Sequence, residues 1–252
     1  MEDNKKEIAL GMALISVVAG IIYYGFQSDK PVRAPETEPA VTAPAPTPVP
    51  DISLPTLEVS DGFVRAEAAG LSSHQTFAGW LKQDDLIARF AAAMHILAKG
   101  QVPRDSLSGL APRKKFSVVN KSGKLTMDPR GYARYDAVAD TVGSIDAASA
   151  AKLFHKFKPL IDEVYRGLAD KDAGAQDAVI RAIDDLLRVP AQEGDVPLKE
   201  GKKGLTYVYA DSALEKLTPA QKQLLRMGPR NTAKIQAKLR EIKTALAAST
   251  PR

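Results

Sequence analysis

The 252 residues contain no cysteine. That excludes a disulfide framework, thiolate zinc or iron–sulfur sites, a cysteine nucleophile and a lipid-modified cysteine anchor. It is compatible with an oxidising compartment without requiring one. Histidine is scarce: His74, His95 and His155 lie too far apart in sequence to make a His-x-x-x-His or His-Glu-x-x-His zinc motif. Neither Gly-x-x-x-x-Gly-Lys-Ser/Thr nor Gly-x-Gly-x-x-Gly occurs, so no phosphate-cradling loop is encoded. Ser149-Ala-Ala-Lys152 matches the nucleophile motif of serine β-lactamases, but the accompanying Ser-Asp-Asn and Lys-Thr-Gly elements are missing. Solvent-facing helix residues account for that match. The neighbouring acids Asp84/Asp85, Asp162/Glu163 and Asp184/Asp185 diverge by about 100° on a helix, so none forms a facing acid/base pair by itself. No metal and no cofactor is expected.

Charge is unevenly distributed. The net charge is +5, yet residues 201–252 alone hold 11 Lys/Arg against 3 Asp/Glu. The sequence therefore describes a slightly acidic body with a basic end. In that end, Arg226, Gly228, Arg230 and Asn231 surround a helix start, where free backbone N–H groups favour an anion. Lys222, Arg230, Lys234 and Lys238 form a flank suited to an envelope protein, anionic lipid or acidic glycan. Nucleic acid is not expected there, because the helix lacks the aromatic interleaving of single-strand binders.

From Ile8 to Phe26 no residue is charged, and the run closes on Tyr23, Tyr24 and Phe26. A helix of this length crosses the hydrocarbon core of a bilayer, with the aromatic residues at the headgroups. A cleaved signal peptide is the rival, but the run exceeds the usual apolar region and no small-x-small site closes it. Residues 1–7 are then a cytoplasmic tail and 8–26 the lipid contact. Lys5 and Lys6 before the span balance Lys30 and Arg33 after it, so the positive-inside count leaves orientation open. Eight prolines between Pro31 and Pro55 punctuate a stretch without aromatic residues, which samples polyproline II and reaches at most about 80 Å. A spacer of this kind, residues 27–56, favours a soluble domain displayed in the periplasm; a cytoplasmic domain is the alternative.

The apolar periodicity of a folded domain resumes at residue 57 and continues to 247, followed by a tail at 248–252. Most of it is helical. Ser60 and Ser73 are expected caps; Leu86, Ile87, Phe90, Met94 and Leu97 repeat at helical spacing before Gly100 ends the helix. Phe116–Val119 and Lys124–Met127 read as a hairpin. Asp128-Pro129 opens a helix through Tyr132, Tyr135, Val138 and Val142. Asp146 caps a long helix that Pro159 should kink or split. A further helix spans Val179 to Leu187, and Leu205–Tyr209 is the best strand, paired with Val196–Lys199. Asp211 restarts a helix through Leu214 and Leu217. Thr218-Pro219-Ala220-Gln221 is a capping box with proline at the first helical position. In the last helix Ile235, Leu239, Ile242 and Leu246 should dock on the domain, with the basic flank facing solvent.

Asp84-Asp-Leu-Ile-Ala-Arg-Phe90, Tyr132-Ala-Arg-Tyr-Asp136, Phe157-Lys-Pro-Leu-Ile-Asp-Glu-Val-Tyr165 and above all Thr218-Pro-Ala-Gln-Lys-Gln-Leu-Leu-Arg-Met-Gly-Pro-Arg-Asn231 resemble the bacterial domain of unknown function 3014 family. The resemblance spans roughly residues 57–246. It implies a single-pass, proline-tethered protein of the Gram-negative envelope, and no particular activity, substrate or catalytic residue. Taken together, the sequence points to a mainly α domain with a small hairpin and a short late strand, serving as a non-enzymatic binding or scaffolding module. Two alternatives stand beside it: a cysteine-free envelope hydrolase whose site is assembled only in the fold, and a structural spacer self-associating through Ser16 and Gly20.

Overall fold

The stretch of helical periodicity that begins at Leu86 becomes a thirteen-residue helix, and most of the surrounding elements form for equally local reasons. The structure, a computed structural model, describes residues 54–107, 116–168, 174–201 and 206–249. The expected membrane span 8–26, its tail 1–7, all but the last three residues of the spacer 27–56, and residues 250–252 lie outside the described residues. Among those described, no helix is long and apolar enough to cross a membrane. The helices in chain order are α1 (Asp61–Ala68), α2 (Gln75–Trp80), α3 (Leu86–Ala98), α4 (Asp136–Gly143), α5 (Ala147–Leu168), α6 (Ala175–Leu187), α7 (Ser212–Glu215), α8 (Pro219–Leu225) and α9 (Pro229–Ala248). The strands are β1 (Val118–Lys121), β2 (Lys124–Met127), β3 (Pro197–Glu200) and β4 (Tyr207–Tyr209).

Several caps form as the residue types dictate. Gly100, at φ +69°, ends α3: its N–H reaches Leu97 O at 2.8 Å and Gln101 N–H reaches Ile96 O at 3.0 Å, the paired bonds of a Schellman turn. Asp146 Oδ1 accepts from Ser149 N at 2.7 Å at the start of α5. Both halves of the Thr218/Gln221 capping box are present on α8. Two caps differ from expectation. Ser60 precedes α1 but its own backbone is helical, continuing a short 3-10 turn, so its hydroxyl donates back to Leu57 O instead of capping forward. At α2 the cap is His74, not Ser73, because the imidazole Nδ1 accepts from Thr76 N at 3.2 Å.

Three further expectations are corrected. The segment after Asp128-Pro129 is a 3-10 helix over Pro129–Tyr135 before α4 begins. Gly131 lies so close to Ser117 that a Cβ would stand 2.7 Å from its hydroxyl, which shows how tightly this segment is held against the strand before it. Pro159 does not split α5. It sits on the exposed face, while Phe154, Phe157, Leu160, Ile161 and Tyr165 bury a continuous stripe on both sides of it. That burial outweighs the loss of one backbone hydrogen bond. Finally, α7 stops at Glu215, one turn long, and Leu217 follows it.

The hairpin turns through Ser122 and Gly123, both at positive φ as a two-residue type I′ turn requires. It does not stand apart from the late strand. β2 pairs with β3 (Leu125 with Leu198, Thr126 with Pro197) and β3 with β4, giving one antiparallel sheet in the order β1-β2-β3-β4.

Two apolar clusters result. One gathers α1, α2, α3, α5 and α6 around Leu86, Phe157, Ile161 and Ile183. The other lies between the sheet, α4, α8 and α9, around Met127, Leu198, Leu224 and Ile235. Helix α9 joins them: Leu246 belongs to the first, Ile235 to the second, and Leu239 packs against both. Leu54 packs on the first cluster, so the folded region begins slightly before residue 57.

The joint between α8 and α9 depends on Gly228, whose φ of +84° is disfavoured for any residue with a Cβ, and a Cβ here would collide with the Tyr132 ring. Gly123 has a similar φ but open space around it. Gly228→Ala is expected to cost about 3 kcal/mol or more and Gly123→Ala about 1 kcal/mol in urea unfolding. Equal losses would show that the Tyr132 contact carries no weight.

Candidate functional site

The basic flank read from the sequence is placed on α9 as expected, but its charges are answered from within the domain. Arg230 pairs with Asp136 at 2.6 Å, Lys234 with Asp140 at 2.5 Å and Lys238 with Glu241 at 2.5 Å. On a neighbouring face Lys243 pairs with Asp184 at 2.5 Å. The first two pairs advance both helices by four residues in the same sense, so α4 and α9 run parallel with complementary charges facing. The flank does not uniformly face solvent. The Arg230 side chain is 73% exposed, whereas that of Lys238 is only 15% exposed.

The helix start at Gly228-Pro229 holds an internal anion, the Asp136 carboxylate. Asn231 is buried there and donates from Nδ2 to Asp136 Oδ1 at 2.9 Å, to Tyr132 O and to Met227 O. The Arg230 guanidinium and this Asn231 bond hold the Asp136 carboxyl below the usual carboxylate range. Lys222 turns to Glu215 at 2.5 Å. Burial alone would push Glu215 up, but the bonds from Lys222 and from Tyr209 N–H bring it net below its ordinary value.

Arg226 is different. It lies over the rings of Phe116 and Tyr209, at 5.6 and 5.9 Å. Burial pushes the Tyr209 phenol up despite that nearby cation. A second arginine, which sequence reasoning passed over, shares the Phe116 ring: Arg134 lies 5.3 Å from it and 4.6 Å from the Tyr135 ring. Arg134 Nη2 donates to the Tyr135 hydroxyl at 3.1 Å, while its Nε and Nη1 are buried and meet no acceptor among the described residues. Gln223 Nε2 donates to the same hydroxyl at 3.0 Å.

Tyr135 and Gln223 also line a cavity of about 460 Å³. Its wall is apolar, supplied by Leu97 of α3, Val138 and Val142 of α4, Leu224 of α8 and Ile235 of α9. The segment 102–107 completes the described lining and contributes Arg104, an exposed cation. No carboxylate and no histidine is among the described lining residues. A volume of this order and a mostly apolar wall fall within the range that small-molecule sites span. Leu97, Tyr135, Val138, Val142 and Ile235 had a sequence signal as members of apolar stripes; nothing local marked them as cavity residues.

The remaining sequence candidates are scattered. His74 serves as the α2 cap and meets Thr141 Oγ1 at 2.9 Å; His95 packs edge-on against Tyr165; His155 lies beside Phe154. Among the described residues no group of three His, Asp or Glu is placed to hold a metal ion. Ser149 and Lys152 are both exposed in the first turns of α5. Asp184 and Asp185 diverge as helix geometry requires, the first to Lys243 and the second to Thr218 and Gln221.

These elements define a helical domain closed on one side by a small antiparallel sheet, with an apolar cavity between α3, α4 and α8. The family model described as a protein of unknown function, DUF3014, matches residues 86–243, from the first residue of α3 into α9, and the chain belongs to that family. No curated protein and no solved structure matches it.

The depressed Asp136 pKa fixes a direction for pH dependence. Its contribution to stability is complete above the unfolded carboxyl value, near pH 4, and is lost as pH falls through the lower folded value. Asp136→Asn should therefore be less stable than the parent at pH 7 and show a shallower loss between pH 5 and 3. Parallel urea-midpoint profiles for the two proteins would contradict this.

Proposed function

We propose that this chain is a non-enzymatic binding module of the bacterial envelope, inserted in the inner membrane through residues 8–26, with its domain held in the periplasm by the proline-rich segment and its binding site in the cavity beside Tyr135. The observation that carries the reading is the cavity itself. A space of about 460 Å³ with a mostly apolar wall, whose polar lining residues are Tyr135, Gln223 and Arg104, is equipped to hold an apolar ligand. The uncharged run and the spacer support the location.

The α9 flank plays a lesser part. Its lysines and Arg230 are matched by Asp136, Asp140 and Glu241. The more exposed of these pairs, Arg230 with Asp136 and Lys234 with Asp140, contribute little individually, and the three pairs leave the flank no net excess of charge.

Two measurements test the reading. Alkaline phosphatase and a cytoplasm-only fluorescent protein, fused separately after Arg252, should give phosphatase activity without fluorescence; the reverse places the domain in the cytoplasm. In equilibrium dialysis, the full chain in phosphatidylcholine vesicles should bind radiolabelled octan-1-ol at one saturable site above protein-free vesicles. Absence of that saturable component rejects the cavity as a binding site.

A further inference from the structure

The groups bordering the cavity specify more than apolarity. Arg104 is permanently charged and lines the cavity without a carboxylate among the described lining residues. The Tyr135 oxygen already accepts from Arg134 and from Gln223, which leaves its own proton to donate. Arg104 and Tyr135 thus bring a permanent cation and a hydroxyl donor to a described lining that is mostly apolar and holds no carboxylate. An acceptor carrying charge takes a stronger hydrogen bond from a guanidinium or a hydroxyl than a neutral acceptor does.

We infer that the cavity takes a single-chain amphiphile with an anionic head, of the fatty-acid class: the tail lies on the Leu97, Val138, Val142 and Leu224 wall, and the head is met by Arg104 and the Tyr135 hydroxyl. The inference rests on reading the cavity as a binding site. The volume suits one chain of modest length. A neutral head leaves the Arg104 charge unanswered, and a cationic head is repelled by it.

Three probes with one tail separate this inference from the reading beneath it: octanoate, octan-1-ol and octylamine, each dialysed against the full chain in phosphatidylcholine vesicles. Octanoate should bind about tenfold or more tighter than octylamine, with octan-1-ol between them. Arg104→Gln, in an exposed loop position, and Tyr135→Phe should each be tried. At least one should weaken octanoate about fivefold or more and octan-1-ol by clearly less, and the one that does locates the head. If the three probes bind alike, or neither variant changes octanoate, the anionic assignment is overturned while the cavity stands as an apolar site. If none binds, both fail.

Discussion

One buried carboxylate ties the two apolar clusters together. Asp185, at the end of α6, accepts from Thr218 Oγ1 at 2.9 Å, from Gln221 Nε2 at 3.2 Å and from Arg188 Nη2 at 2.7 Å, while its backbone oxygen takes a second Gln221 bond at 2.8 Å. The capping box of α8 is thus built onto the end of α6. Ala220 N–H bonds to Gly100 O at 2.9 Å, so the turn that ends α3 is fixed to the same place. A Cβ on Gly100 would press on Thr218, which shows how little room separates them. Removing the Asp185 carboxylate would leave the Thr218 hydroxyl without this acceptor and Gln221 with only the backbone oxygen of residue 185, while Arg188, 68% exposed, would turn to water, a cost of about 1–3 kcal/mol. The cavity depends on this joint, because Ala220, Gln223 and Leu224 on one side and Leu97 and Leu186 on the other are positioned by it.

The distribution of charge takes on a different meaning in the fold. Counting along the chain leaves the C-terminal segment with a large excess of positive charge. The acids that answer it, Asp136, Asp140 and Asp184, come from far earlier in the sequence and arrive when α4 and α6 pack beside α9. Two arginines with no carboxylate partner in the ion pairs described, Arg134 and Arg226, lie against aromatic rings instead. A linear count has no means of separating these cases, since the partners are set by tertiary packing.

Local chemistry explains what was readable. The Gly100 stop, the Asp146 cap, the Thr218 capping box and the Gly228-Pro229 joint each rest on residues within a few positions of one another, and each forms. Features decided by distant contacts were not readable. The His74 ring that caps α2 in place of Ser73 is met by the Thr141 hydroxyl from 67 residues further along the chain. The Ser117 contact accompanies the 3-10 segment at Pro129–Tyr135. Joining the hairpin to the late strand requires Leu125 to meet Leu198, a pairing no turn signal announces. The cavity belongs to this second class, because its wall comes from segments scattered between Leu97 and Ile235.

Methionine offers the most direct test that a ligand enters at this cavity. Met227 lines it, whereas Met127 is buried in the sheet cluster. With methyl-labelled methionine in the full chain, held in zwitterionic nanodiscs, octanoate should move the Met227 resonance and leave Met127 in place. An unmoved Met227, or equal shifts at both methyls, would contradict the account.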